Sequence, residues 1–136
     1  EMHAFLFAFL EALPCRVVNP PSLGCLYGPN LRAVQWRQLA RELGIAVEQD
    51  LRPVSAGSKS YPSIDVTLIG ERAIGNPPPS VLRSTQRLAR RAGIPYLTAR
   101  YADLHGALCF VGVDTYPNIE SEEIACALLD SFLRER

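Results

Sequence analysis

Hydrophobic residues along this chain follow two spacings, the short apolar or alternating runs of strands and the i, i+3, i+4 spacing of helices. The points where one spacing gives way to the other predict the order of strands and helices. Three apolar or β-branched runs are typical of strands: Ser63 to Ile69, Ile94 to Tyr101 and Leu108 to Val113. Gly70 to Arg72 predict a turn into a short second strand that ends at Ile74. With helices between and after the strands, the pattern predicts an α+β fold, a small mainly antiparallel sheet backed by helices.

Helical spacing occurs in four segments, which are Met2 to Leu13, Leu31 to Leu43, Val81 to Ala92 and a last helix ending near Leu133. We expect N-caps at Asn30, at Ser80 and at Asn118 or Ser121, and C-terminal stops at Gly44 and Gly93. In the last helix, the inner stripe is predicted to consist of Ile124, Leu128 and Phe132, with Leu129 and Leu133 alongside.

Shorter segments complete the pattern. Cys15 to Val18 and Ile45 to Leu51 are β-branched enough to predict strands, and Asp103 to Gly106 predict a turn. The segment from Arg52 to Pro62 reads as a surface loop; it contains Lys59 but lacks the G-x-x-x-x-G-K-[ST] spacing of a phosphate-binding loop.

Composition narrows the class of protein. The 136 residues are 48% hydrophobic, which is enough for one compact domain with a core. Fourteen basic and fourteen acidic side chains cancel, so global charge indicates neither nucleic acid nor an anionic membrane as a partner. Four arginines on the third helix leave a nucleic-acid surface open as a weaker alternative to a solvated face: Arg83, Arg87, Arg90 and Arg91.

The cysteines and the first helix bear on the compartment. Cys15, Cys25, Cys109 and Cys126 form no C-x-x-C pair, which favours a reduced cytoplasmic protein with structural thiols and no zinc site. Met2 to Leu13 is too short to cross a bilayer and lacks the features of a signal peptide. Such an apolar helix is expected to be buried against the domain, another copy or further sequence.

Candidate chemistry lies at the end of the run A-L-C-F-V-G-V-D-T-Y-P-N, from Ala107 to Asn118. A strand that delivers a carboxylate at its end, here Asp114, is a common way to hold a metal or phosphate at the edge of a sheet. The alternative is a core strand that ends in an Asp-containing turn.

Several segments resemble the ATP-grasp superfamily, particularly the ligases related to glutathione synthetase and the ribosomal-protein glutamate ligases. The segments are L-P-C-R-V-V-N-P-P-S with the following helix, I-D-V-T-L-I-G-E-R-A-I, and the stretch from Leu82 to Asn118. The resemblance implies that residues 1–51 are a pre-grasp-like segment and that residues 63–136 correspond to the C-terminal half of the grasp. It also implies ATP-dependent joining of a carboxylate to an amine, with two Mg²⁺ ions bridging the phosphates.

The metal ligands implied by the resemblance are only partly present. Asp114 corresponds to the final Asn of the family's E-x-N strand and keeps an oxygen ligand. Gly112 stands where the family has an acidic residue, and Arg100 lies near the position of an upstream carboxylate. The nucleotide-clamping subdomain expected between Leu51 and Ser63 is replaced by about a dozen residues.

These departures predict a shortened, degenerate module that is not an active ligase alone and has no cofactor of its own. We expect it to serve as a structural or partner-binding domain, a homo-oligomer formed through Met2 to Leu13 and the region of Trp36. The alternative is an ATP- and Mg²⁺-dependent carboxylate-amine ligase, or one half of one. In that case Asp114 would bind Mg²⁺, and Lys59 or Arg72 would lie near phosphate.

Overall fold

The computed structural model describes residues 2–15, 17–20, 31–47, 62–104, 106–116 and 118–134. Within these ranges the chain forms four helices and four strands, in the order α1 (Met2–Ala12), α2 (Ala33–Glu42), β1 (Ser63–Ile69), β2 (Arg72–Ile74), α3 (Pro79–Ala92), β3 (Tyr96–Leu104), β4 (Ala107–Asp114) and α4 (Glu122–Arg134).

The four strands form one antiparallel sheet in the order β2-β1-β3-β4. The hairpin between β1 and β2 turns at Gly70, whose φ of +60° favours glycine. The register of β3 and β4 shifts between Arg100, which pairs with Gly112, and Tyr101, which pairs with Phe110, so that Val111 has no partner on β3. The α+β fold with a small antiparallel sheet is therefore confirmed.

One face of the sheet packs against α2 and α3. Leu97, Ala99, Tyr101 and Phe110 lie in a buried cluster there with residues of both helices, including Trp36, Ala40, Val81 and Leu88. Two hydrogen bonds are made inside this core: the Tyr101 and Thr85 hydroxyls lie 2.9 Å apart, and the Thr85 hydroxyl donates to the Val81 carbonyl at 2.9 Å. Because Trp36 is only 4% exposed, its indole belongs to this core and is unavailable to a partner.

The opposite face is covered at one end by α4. Ile69, Ile74 and Tyr96 pack there against Ile124, Ala127 and Leu128. The inner stripe predicted for this helix is wrong in its second half, because Leu129 and Leu133 are 62% and 66% exposed and Phe132 is 38% exposed. The buried positions follow the i, i+3, i+4 spacing from Ile124, and the flanking leucines lie on the solvent side.

Two of the predicted N-caps are wrong. The N-cap of α2 is Arg32, whose backbone N–H donates to Gln35 Oε1 at 2.8 Å, and Asn30 lies outside the described residues. Helix α3 begins at Pro79, one residue before Ser80, because proline is favoured in the first turn of a helix. Gly93 ends α3 in the left-handed conformation, as predicted.

Three short predictions also need correction. The described residues between Cys15 and Val18 form no strand. The turn predicted from Asp103 is displaced, because β3 continues through Leu104. Of the strand predicted from Ile45 to Leu51, the described part makes an isolated parallel bridge from Val47 to Phe110, and residues 48–51 lie outside the described part.

Helix α1 has an unusual surface for an apolar helix. Met2, Phe5 and Phe9 are 77%, 69% and 52% exposed, and Leu6 is 36% exposed. The helix predicted from Met2 to Leu13 is confirmed over Met2–Ala12. Its apolar surface is not covered by the part of the chain that the structure describes. As for membrane spans, no helix within the described ranges combines the length and the hydropathy that crossing a bilayer needs.

Candidate functional site

The candidate site is a cavity of about 300 Å³ on the α4 side of the sheet, over the part of β3 and β4 near the end of β4. Its lining includes Asp65, Thr98, Arg100, Gly112, Asp114 and Tyr116. Cross-strand pairing brings them together, since Arg100 lies between Asp65 on β1 and Gly112 on β4, and Thr98 pairs with Asp114. The three positions that the family resemblance singled out, Arg100, Gly112 and Asp114, therefore line one cavity.

The guanidinium of Arg100 is held by two parallel hydrogen bonds. Its Nε donates to Asp65 Oδ1 at 2.9 Å, and its Nη2 donates to Asp65 Oδ2 at 3.1 Å. These bonds, the negative charge of Asp65 and, to a smaller extent, that of Asp114 raise the pKa of Arg100 above its ordinary value. The two side chains are 60% and 45% exposed, so the pair adds little to stability and mainly orients the guanidinium.

Asp114 both closes a turn and lines the cavity. Its Oδ1 accepts the backbone N–H of Tyr116 at 2.9 Å, which is the Asx-type turn expected of an aspartate at the end of a strand. The Asp-containing turn is therefore confirmed, and the carboxylate is also exposed in the cavity. A role of Asp114 in holding a metal or phosphate stays a prediction.

The end of β4 is held by a side chain that precedes the sheet in sequence. The Asn19 amide donates through Nδ2 to the carbonyls of Tyr96 at 3.0 Å and Thr115 at 2.9 Å, and its Oδ1 accepts the Tyr96 N–H at 3.1 Å. Asn19 is 5% exposed and has a φ of +50°, a conformation that asparagine tolerates better than most residues. The side chain thus ties the start of β3 to the residue that follows Asp114.

Of the two predicted phosphate contacts, Arg72 does not line this cavity. Arg72 lies on β2, separated from β4 by β1 and β3, and its Nη1 donates to Asp130 Oδ2 on α4 at 3.2 Å. Lys59 lies outside the described residues. Asp65 is a site residue that the sequence interpretation missed. The segment I-D-V-T-L-I shows only that Asp65 occupies a polar position of an alternating strand. Its partner Arg100 is 35 positions away in sequence, so the local pattern does not reveal the pair.

The residues of the cavity fit a magnesium nucleotide poorly. Mg²⁺ is held by oxygen ligands in octahedral geometry, usually one or two carboxylates with phosphates and water. Asp65 and Asp114 are carboxylates, but the Arg100 guanidinium is bonded to the first and close enough to the second to be stabilised by its charge. In the part of the chain that the structure describes, no group of three or more His, Cys, Asp or Glu could hold a metal ion.

A larger cavity of about 510 Å³ lies along α2 and the end of α3. Leu31, Val34 and Leu39 supply aliphatic walls, and Glu42 and Arg91 supply the charges. Of the four arginines that the sequence offered as a nucleic-acid surface, its lining includes Arg91 and not Arg83, Arg87 or Arg90.

No protein-family model matches the sequence, and no curated protein matches it significantly. Among solved structures, the crystal structure of macrocyclase MdnB from Microcystis aeruginosa MRC is similar, with 14% sequence identity and a TM-score of 0.49. The match covers 73% of this chain and 50% of that protein, so the chain spans only half of its length. A similarity at this level carries no argument about family or activity, and the ATP-grasp relationship remains a resemblance.

Proposed function

We propose that this chain is an incomplete ATP-grasp-like module that binds a partner and does not catalyse ligation on its own. The observation that carries the proposal is the Arg100 guanidinium, which is bonded to Asp65 and lines, with Asp114, the cavity where the resemblance expects metal ligands. A fixed cation at that position opposes a second cation, because like charges a few ångströms apart repel strongly where solvent is partly excluded.

The test is a calorimetric titration of the whole chain with ATP and Mg²⁺. We expect no heat of binding above dilution in the wild type, and none in Asp114→Ala. The matched control is Asp103→Ala, which removes another aspartate whose Oδ1 accepts a turn N–H, from Gly106 at 2.8 Å, away from the cavity lining. Binding by the wild type and Asp103→Ala that disappears in Asp114→Ala would overturn the proposal.

That outcome would favour the alternative, an ATP- and Mg²⁺-dependent carboxylate-amine ligase or one half of such a ligase. One observation supports it, namely that Asp114 is exposed in a cavity and not confined to a packed turn. A ligase half would need its remaining metal ligands and its nucleotide clamp from another chain or from further sequence.

The partner that we propose is a second copy of the chain, bound through α1. The motive is the exposed apolar surface of Met2, Phe5, Leu6 and Phe9, since burying such side chains contributes roughly 25 cal/mol per Å² removed from water. The Trp36 region contributes through Val34, which is 74% exposed on the same helix, and not through the buried indole.

Size-exclusion chromatography with light scattering tests the dimer. We expect a mass of twice 15.0 kDa at high concentration, falling toward 15.0 kDa on dilution. A mass of 15.0 kDa across the whole concentration range would contradict the homodimer.

A further inference from the structure

We propose that the groove between α2 and the end of α3 receives helix α1 of a second copy of the chain. The proposal rests on the homodimer proposed above and names the surface that α1 contacts in it. This α2–α3 groove is the cavity of about 510 Å³ whose lining includes Leu31, Val34, Gln38, Leu39 and Arg91. Among the described residues, its lining includes none from α1 of the same chain, which leaves the groove open to another copy.

The first argument is the spacing of the exposed residues on α1. The large hydrophobic residues exposed on this helix, which we call the α1 anchors, are Met2, Phe5, Leu6 and Phe9. They occupy positions i, i+3, i+4 and i+7, which is the spacing by which an amphipathic helix anchors in a hydrophobic groove. Phe7 and Leu10 are half-buried, so the anchors form the side of α1 that its own chain leaves open.

The second argument is the length of the two surfaces. On α2 the groove runs along one face from Val34 to Glu42, which is about 12 Å at the rise of an α-helix, and Leu31 extends it beyond the first turn. The α1 anchors run from Met2 to Phe9, which is about 11 Å at the same rise. The groove is therefore long enough to hold all four anchors at once.

The third argument is the chemistry of the groove. Leu31, Leu39 and Ala92 pack against the core and also line the groove, which gives it an apolar floor. Arg91 forms no ion pair with any acidic side chain that the structure describes. A cation at this position favours the C-terminal end of a docked helix, where unpaired carbonyls carry partial negative charge. The floor therefore suits the α1 anchors, and Arg91 sets the direction of the helix.

The fourth argument is the area that such contacts bury. Because a phenylalanine side chain buries about 200 Å² when fully covered, the exposed parts of the four α1 anchors amount to roughly 400 Å². The groove loses a similar area, and a two-fold axis repeats the contact with the roles of the two copies exchanged. Roughly 1,600 Å² is then buried in total, which is the size of a typical specific interface.

Two variants compared by size-exclusion chromatography with light scattering test the groove. Val34→Asp places a charge in it and should weaken the dimer at least about tenfold. Aspartate is favourable in the first turn of a helix, so α2 should stay folded, which circular dichroism checks. Ile119→Asp is the matched control, because Ile119 is 70% exposed, close to the 74% of Val34, and lies outside α1 and the groove. It should dimerise like the wild type.

An amide NMR titration identifies the contact itself. The isotope-labelled double variant Phe5→Asp, Phe9→Asp has an intact groove and a disabled α1, and unlabelled Val34→Asp has the reverse. Adding the second protein to the first should shift the amides of Gln38, Leu39 and Arg91 saturably, because one complete contact forms between the two copies. Adding unlabelled double variant to the same sample should shift none of them.

Two results would overturn the groove and leave the α1 homodimer standing. They are equal dimer dissociation constants for Val34→Asp and Ile119→Asp, and groove amides that do not respond to unlabelled Val34→Asp. A wild type that stays monomeric at every concentration would overturn the homodimer and this proposal together. If the groove amides of that monomer differed from those of the double variant, α1 would occupy the groove of its own chain.

Discussion

Replacing Asn19 with alanine should destabilise the protein strongly, because this buried side chain ties two parts of the backbone together. The change removes three hydrogen bonds of 2.9 to 3.1 Å and leaves the Tyr96 N–H and C=O without their side-chain partner. Each such bond contributes about 1 kcal/mol net. Alanine at the φ of +50° costs roughly a further 1 kcal/mol, so the free energy of unfolding should fall by about 3–5 kcal/mol.

Two further substitutions divide this loss into its parts. Asn19→Gly removes the same amide but tolerates positive φ, so it should be about 1 kcal/mol less damaging than alanine if the hydrogen bonds carry most of the effect. Asn76→Ala is the matched control, because Asn76 is exposed, and its effect should stay within about 0.5 kcal/mol.

Urea unfolding followed by circular dichroism measures these differences, with the slope of the transition compared among variants. The reasoning would be refuted if Asn19→Ala unfolded at the same urea concentration as Asn76→Ala. A loss in Asn19→Gly as small as that in the control would assign the whole effect to backbone conformation and would contradict the role of the amide.

Three other predictions follow from the same structure. Burial raises the pKa of the Tyr101 phenol above 10.0 in the folded protein. The stability that the protonated phenol contributes is therefore complete below pH 10 and is lost as the pH rises through the folded-state pKa. Above pH 10, the free energy of unfolding should fall more steeply with pH in the wild type and in the control Tyr116→Phe than in Tyr101→Phe. Gly112→Asp adds a side chain into open space opposite Arg100, and urea unfolding should reveal an unchanged or up to about 1 kcal/mol higher stability, whereas a clear loss would contradict the open cavity. Phe5→Asp combined with Phe9→Asp should convert a concentrated sample to monomer in light scattering without unfolding it, and a retained dimer would exclude α1 as the interface.

Local sequence patterns predict the elements whose periodicity is strong and uninterrupted. β1, β3, β4 and α3 follow from their apolar spacing, and the hairpin follows from the turn at Gly70. The strand predicted near Val18 fails for a physical reason: the chain there contacts β3 through the side chain of Asn19, which pairs with the Tyr96 backbone as a strand neighbour would. Hydrogen bonds made by one side chain, in place of those of a neighbouring strand, leave no periodic pattern in the sequence.

Which residues line the candidate site depends partly on strand register, which the local sequence pattern does not give. Asp114 is visible in the sequence because it follows a buried strand and precedes a turn. Asp65 becomes a site residue only because β1 pairs with β3 in the register that sets it opposite Arg100, and the shift at Val111 then aligns Gly112 with the same arginine. The outward position of Leu129 and Leu133 likewise depends on which face of α4 packs on the sheet.

Line broadening by manganese tests the central claim most directly, namely that Arg100 makes this cavity unsuited to a metal nucleotide. Mn²⁺ is paramagnetic, and MnATP bound at Asp114 would broaden the amide signals of Gly112 and Asp114 in the labelled protein. We predict that MnATP broadens these signals no more than that of Gly44, a reference glycine outside the cavity lining. Selective broadening of the Gly112 and Asp114 amides, reversed by excess MgATP, would contradict the account.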